Sequence, residues 1–291
     1  MSRRILVLGS NGMLGGSIFR FLSKISKYDV IGTVRAQAAS EALARQGFAN
    51  TVSGIDAADM NSVAGLIRDF SPHFLINCVG VVKQLGISKA PIPAISLNSL
   101  LPHQLAELCS DSGCRLVHFS TDCVFLGDKG DYSEIDTPDA DDLYGRSKLL
   151  GEVAYDSHLT LRTSIIGHEM SGHVSLVDWY LKQDKRVKGY SRAVFSGFPT
   201  VYIAQFLHDY VLDSQLSGLY NLSSIPINKF SLLSMIREQY QVKTVIDECR
   251  ELQVDKSLSS IKLQAKTGFS PPPWNELIAA MHGEYNEYFS Q

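Results

Sequence analysis

The chain is short of the features that mark metal, disulfide or membrane proteins. Its five cysteines, at positions 78, 109, 114, 123 and 249 of 291 residues, include no C-x-x-C pair. An odd count with that spacing argues against a disulfide framework or a cysteine zinc site. It suits small buried thiols in a reducing compartment. The eight histidines include no H-x-x-x-H, and His168 and His173 merely flank a glycine-containing loop, so no metal site is expected. No apolar run approaches the roughly 18 residues of a membrane span. Arg3 and Arg4 precede Ile5–Leu8, but that run is too short for a signal peptide and glycines follow it. Charge of one sign is also missing: 27 Lys and Arg against 30 Asp and Glu leave −3. That balance argues against nucleic acid or an anionic membrane as partner. Internal repeats and low-complexity tracts are absent too. A soluble cytoplasmic protein is expected, and a homodimer stays open.

What is present is a rhythm. Ile5–Leu8 is an apolar run suited to a strand buried on both faces. A Gly9–Gly12 turn follows, and Met13, Leu14, Ile18, Phe19 and Leu22 then recur at helical spacing. Further strands are expected at Val30–Val34, Thr51–Ile55, Phe74–Cys78, Leu116–Phe119 and Leu159–Leu161. Helices are expected over Ala38–Gln46, Asn61–Phe70 (Asn61 as N-cap), Ile95–Cys109 and Tyr144–Tyr155. This alternation predicts an α/β chain of Rossmann type, a doubly wound parallel sheet with helices on both faces. After Thr163 the rhythm breaks. Helices near Ser175–Lys182, Tyr202–Leu212, Phe230–Tyr240 and Trp274–Tyr288, with a strand at Leu219–Leu222, suit a small mixed α/β cap. The expected division is 1–163 and 164–291, with some later segments returning to the first domain.

Three places carry chemistry. Gly9, Gly12 and Gly15 form G-x-x-G-x-x-G between first strand and first helix, where a pyrophosphate needs close approach to backbone N–H groups. Asn11, Met13 and Leu14 lie within the same turn. The second strand ends at Arg35 with no acid before Glu41; a guanidinium there suits the 2′-phosphate of NADP, the alternative being a solvated arginine. Asp56 is either an adenine acceptor or a turn aspartate. Cys78, Val79 and Gly80 close the fourth strand at the carboxyl edge, where ligands sit. Last, Ser120-Thr121-Asp122 ends the fifth strand, and Tyr144 and Lys148 share one face of the next helix. A phenol with pKa near 10 becomes a usable acid beside an ammonium. Thr121 would polarise a substrate carbonyl, Tyr144 would protonate it, and Lys148 would supply the field and hold the nicotinamide ribose. Asn98 either polarises a group near Lys148 or is a packed structural amide.

These residues resemble the extended short-chain dehydrogenases, above all the dTDP-4-dehydrorhamnose reductase group. The resemblance rests on Gly9–Gly15, Ser120-Thr121-Asp122, Tyr144–Lys148 with Leu149–Glu152, and Leu161-Arg162-Thr163. Phe198-Pro199-Thr200, Gly218–Leu222 and Thr267-Gly268-Phe269 extend it over nearly the whole chain. It implies an NADP(H)-binding N-terminal domain, with NAD(H) also admissible, and a C-terminal domain for a nucleotide-sugar substrate. It implies Thr121, Tyr144 and Lys148 as catalytic residues, and Asp122, Cys123, Phe198 and Pro199 at the substrate; Arg162, after a buried strand, either binds the substrate diphosphate or pairs internally. The activity implied is reduction of the C4 ketone of a 4-keto-6-deoxy sugar nucleotide for surface polysaccharide such as O-antigen. Cys123 replaces the group's usual Tyr. The Glu that serves related dehydratases is missing, which counts against dehydration. Val79–Gln84 departs from the usual Ala-Tyr-Thr, and Lys83 there is a candidate contact to an acetamido group, or a solvated loop residue. Asp255-Lys256-Ser257 echoes a family segment without an assigned role. The rivals are a 4-epimerase with tightly held NAD and a non-catalytic regulatory subunit, as in the beta subunit of methionine adenosyltransferase.

Overall fold

The computed structural model describes residues 2–81, 90–171 and 174–290. Lys83 and His173 therefore lie outside the described residues.

In chain order the elements are β1 (Arg3–Leu8), α1 (Met13–Ser23), β2 (Tyr28–Thr33), α2 (Gln37–Arg45), β3 (Thr51–Val52), α3 (Met60–Phe70) and β4 (Phe74–Asn77). Next come α4 (Pro91–Ala94), a π-helical turn over Ile95–Leu100, α5 (Leu101–Asp111), β5 (Arg115–Thr121), α6 (Leu143–Leu150), β6 (Leu159–Thr163), β7 (Ile165–Ile166) and α7 (Leu176–Leu181). The remainder is β8 (Val187–Tyr190), β9 (Ala193–Phe195), β10 (Phe198–Pro199), α8 (Thr200–Phe206), β11 (Gly218–Asn221), β12 (Ile227–Asn228), α9 (Lys229–Gln239), β13 (Ile246–Cys249), β14 (Val254–Asp255), α10 (Ile261–Thr267) and α11 (Trp274–Tyr288).

The large sheet has seven strands in the order β11-β6-β5-β4-β1-β2-β3. β1 pairs in parallel with both β2 and β4, and β4 with β5. The chain thus winds out to β3, returns to β1 and winds away on the other side. That is the doubly wound arrangement, whose ligand crevice opens at the reversal between β1 and β4. Ile5–Leu8 and Leu75 are wholly buried, as a sheet covered on both faces requires. On one face Val63 and Ile67 of α3 and Leu101 and Leu105 of α5 pack over Leu6, Leu8, Leu75 and Leu116.

Of the helix limits that differ from the sequence reading, two have a clear local cause. The N-cap of α3 is Asp59, not Asn61: its carboxylate accepts from the N–H groups of Asn61 and Ser62. A carboxylate placed ahead of the first turn takes the two free donors better than an amide already inside it. α6 ends at Leu150 rather than Tyr155. A Cβ on Gly151 would lie 1.9 Å from the carbonyl oxygen of Asn98, so the chain turns where only glycine fits. Among the described residues no helix is long and apolar enough to cross a membrane.

The chain divides into two compact units. The first holds Met1–Ser120, Asp142–Leu161 and Ala204–Leu219. The second holds Thr121–Asp141, Arg162–Ile203 and Tyr220–Gln291. Within the second, β12, β9 and β14 form one small sheet, β13 pairs with β8, and β10 with β7. These strands run two to four residues, too short to leave a periodic signal in the sequence.

Candidate active site

The glycine turn of the first unit is built by contact. Gly9 has φ +80°, and a Cβ there would meet Val79 Cγ2 at 3.0 Å. The loops after β1 and β4 therefore touch at the sheet's reversal. A Cβ on Gly15 would lie 2.2 Å from the Gly9 carbonyl oxygen, so this glycine lets α1 seat on the turn. Gly12 is different: among the described residues beyond its chain neighbours, its added Cβ would meet that same carbonyl oxygen alone, at 3.4 Å. Gly12 is the N-cap of α1 and brings no capping side chain. The first N–H groups of the helix thus lie beside a glycine that brings no Cβ of its own, which fits a phosphoryl group. Asn11 is exposed, Met13 half-buried and Leu14 buried beside it. Ser10 anchors the turn by donating its hydroxyl to the Thr33 carbonyl at 2.9 Å.

Arg35 follows β2 and is exposed. Asp56 is exposed as well, and one of its carboxylate oxygens accepts from Ala58 N–H at 3.0 Å, which makes it a turn former. Val79 N–H donates to Asn77 Oδ1 at 3.0 Å, shaping the loop that carries Cys78, Val79 and Gly80. Burial pushes the Cys78 thiol well above its ordinary range.

Tyr144 and Lys148 stand on α6, which Asp142 caps through Gly145 N–H at 2.7 Å. Tyr144 is half-buried. Lys148 is only 7% exposed, and its Nζ donates to the Phe119 carbonyl at 2.6 Å. Burial pushes this amine down to about 8, against the opposing pull of Glu152 and Cys78. Below that pH it is a cation held in a low-dielectric setting, where its field on a neighbouring phenol is strong. Glu152 is in turn fixed by the Ser120 hydroxyl at 2.7 Å.

Asn98 is a packed amide. It is fully buried, accepts from Val81 N–H at 2.8 Å and donates to Ser147 Oγ at 3.1 Å. Ser147 Oγ donates to the Tyr144 carbonyl at 2.9 Å. The π-helical turn thus ties the loop after β4 to the turn of α6 that bears Tyr144. The Asn98 and Ser147 linkage had no sequence signal beyond two polar residues on apolar helices. The Phe119 partner of Lys148 is a backbone carbonyl and leaves no trace in the sequence.

In the second unit, Thr121 Oγ1 donates to Asp122 Oδ1 at 3.1 Å and accepts from Cys123 N–H at 3.1 Å. Asp122 is buried, and burial raises its pKa against the opposing pull of Lys256 and Lys229. Cys123 is half-buried. The Asp255–Ser257 segment gains a role here. Lys256 Nζ donates to the Phe125 carbonyl at 2.5 Å, Asp255 N–H to the Gly127 carbonyl at 2.6 Å, and Tyr132 N–H to the Ser257 carbonyl at 2.9 Å. Gly130 has φ +72°, which favours glycine, and its missing Cβ leaves room for the Asp255 carboxylate. The segment therefore clamps the loop that continues from Thr121.

Arg162 is buried with its guanidinium 5.4 Å from the centre of the Phe125 ring. Phe198 and Pro199 are buried, and Phe198 stacks on Tyr202 at 4.8 Å. His168 is held between Asp178, at 2.6 Å, and the Tyr240 hydroxyl, at 2.8 Å. Among the described residues no cluster of His, Cys, Asp and Glu is arranged to hold a metal ion.

The strand order, the glycine turn and the Tyr144/Lys148 helix define an extended short-chain dehydrogenase/reductase fold. A family model described as RmlD substrate binding domain matches residues 3–287, and the chain belongs to that family. It is 32% identical over 149 residues to a probable low-salt glycan biosynthesis reductase, Agl14, of Haloferax volcanii, covering 51% of this chain and 47% of that protein. It is 30% identical over 154 residues to the methionine adenosyltransferase 2 subunit beta of Mus musculus, covering 53% of this chain and 42% of that one. The match thus spans less than half the length of these curated relatives. The crystal structure of dTDP-4-dehydrorhamnose reductase from Bacillus anthracis in complex with NADP superposes with a TM-score of 0.79 at 19% identity, covering 97% of this chain and 99% of that chain. At that identity the likeness is one of fold.

Proposed function

We propose that the protein is an NADPH-dependent reductase acting on the C4 ketone of a 4-keto-6-deoxy sugar nucleotide. The observation that carries this reading is the α6 pair. A half-buried phenol stands one helical turn from an amine that is buried, fixed on the Phe119 carbonyl and pushed down to about 8. The bound cofactor would supply a hydride to the carbonyl carbon. Tyr144 would give its phenolic proton to the carbonyl oxygen, so ketone, hydride and proton together make a secondary alcohol. Lys148 in its ammonium form would favour the phenolate left behind. Thr121 would turn its hydroxyl from Asp122, to which it donates here, and donate to the same oxygen. The Gly9–Gly15 turn and the start of α1 would hold the pyrophosphate, and Arg35 would face the 2′-phosphate of NADP(H). Asp122 and Cys123 would border the sugar. The family, and the glycan reductase among the relatives, support a role in building surface polysaccharide, with the reaction in the cytoplasm.

The test is NADPH oxidation across a panel of 4-keto-6-deoxy sugar nucleotides. Tyr144→Phe should lose about 10²–10⁴ in kcat while keeping the wild-type Tm. Full turnover by that variant removes the proposed acid. A second reading, a regulatory subunit, is supported by the 30% identity to the methionine adenosyltransferase beta subunit. It predicts no turnover with any keto sugar, together with stable co-purification with a synthetase.

A further inference from the structure

Glu152 has no part in the reaction above. Tyr144, Lys148 and Glu152 recur at steps of four, so the acid continues the stripe of α6 one step beyond the lysine. α6 ends at Leu150, yet the backbone carries the turn onward: Gly151 N–H donates to the Lys148 carbonyl and Glu152 N–H to the Leu149 carbonyl, both at 3.2 Å. Two consecutive residues of β5 then grip the stripe. The Phe119 carbonyl takes the Lys148 ammonium, and the Ser120 hydroxyl donates to Glu152 Oε1 at 2.7 Å. A carboxylate is thereby fixed one step along from a buried cation.

The other titratable groups that bear on Lys148 are neutral. His118, on β5, takes the Asn77 amide N–H at Nδ1, 3.2 Å away, because Asn77 Oδ1 is already occupied by Val79 N–H. An imidazole that accepts at one nitrogen carries no charge. Burial and the field of Lys148 hold it so, well below its ordinary range. The Cys78 thiol, in the loop after β4, is pushed well up by burial. Tyr144 is the phenol that the lysine serves. Among the described residues, Glu152 is therefore the negative charge that acts on Lys148. Its attraction opposes loss of the ammonium proton, and the desolvated setting strengthens it.

We propose that Glu152 is a positioning residue for the reduction: held by Ser120, it keeps Lys148 charged at neutral pH and sets the upper pH limit at which Tyr144 can act. Its part in turnover rests on the reductase reading, whereas the coupling of the two charges does not.

The full chain is labelled with lysine carrying carbon-13 at Cε. The Lys148 signal, assigned by its loss in Lys148→Met, is followed from about pH 6 to about pH 10 in wild type, Glu152→Gln, Glu152→Asp and Ser120→Ala. Glu152→Gln removes the charge and keeps an oxygen for the Ser120 hydroxyl. The wild-type midpoint should lie near the value of about 8 to which burial pushes this amine. In Glu152→Gln it should fall by about one pH unit, the effect of losing one nearby opposite charge. Glu152→Asp should recover part of that shift. Ser120→Ala, which frees the carboxylate, should show a smaller fall. With NADPH and a keto sugar nucleotide, kcat/KM of Glu152→Gln should then drop about tenfold at about pH 9 and hardly change at about pH 6.

An unmoved midpoint in Glu152→Gln overturns the proposal. So does a kcat/KM that falls by one factor at every pH, which is what damage to the fold produces. Should Glu152→Gln fail to fold, an unmoved midpoint in Ser120→Ala overturns the proposal in its place. No substrate enters the lysine titration. Failure of every keto sugar to be reduced would thus sink the reductase reading and leave the charge coupling to be decided by the titration alone.

Discussion

The amine of Lys148 and the backbone carbonyl of Phe119 are joined by a 2.6 Å hydrogen bond. One end of the α6 face is thereby fixed to the strand that leads into Thr121. The bond also explains how an ammonium is tolerated in a buried position: it has one strong acceptor, and Glu152 lies within electrostatic reach.

The first prediction concerns pH. Lys148 has its pKa lowered from 10.5 to about 8 by burial. Between those values the unfolded chain still carries a proton that the folded chain has released, so the group's contribution to stability rises with pH across that window. The span corresponds to about 3 kcal/mol. In Lys148→Met this rise should be missing when chemical unfolding is followed at each pH. At neutral pH the relieved charge burial is offset by about 1–3 kcal/mol for an unbonded Phe119 carbonyl, so Tm should stay near wild type. Turnover should fall at least about 100-fold.

The glycines of the turn should separate cleanly. Gly15→Ala drives a Cβ to 2.2 Å from the Gly9 carbonyl oxygen, whereas Gly12→Ala meets that atom only at 3.4 Å. Gly15→Ala should lower Tm markedly. Gly12→Ala should cost no more than about 1 kcal/mol of stability yet raise the NADPH Kd tenfold or more. Thermal melts and NADPH titration of the two variants check this; wild-type NADPH affinity in Gly12→Ala would count against a phosphate at that spot.

Arg35 is exposed at the end of β2. Arg35→Ala should weaken NADPH by about 10- to 100-fold, the worth of a charged hydrogen bond, while NADH affinity is unchanged. Equal losses for both cofactors would refute contact with the 2′-phosphate.

A control is available far from the chemistry. Asp59→Ala removes the N-cap of α3 and should cost about 1 kcal/mol in urea unfolding. Its kcat should match wild type, since the cap bonds only Asn61 and Ser62.

The features legible in the sequence were local ones. The buried run Ile5–Leu8, the glycine turn and the helical pairing of Tyr144 with Lys148 each depend on residues within a few positions of one another. Features set by distant contacts were not legible. The cap of α3, read as Asn61, is Asp59. The end of α6 depends on the Asn98 carbonyl beside Gly151, which no spacing announces. The Asp255–Ser257 clamp and the hold of Ser120 on Glu152 join positions far apart in the chain. The strands of the second unit were invisible because two to four residues cannot display a period.

The clamp has a consequence for how the molecule is made. Thr121–Asp141 leaves the ribosome more than 100 residues ahead of its anchors at 255–259. The nascent polypeptide can pack β1 to β5 while that stretch still lacks its final partners. The segment that begins with Thr121 therefore settles only after residues 255–259 have been made.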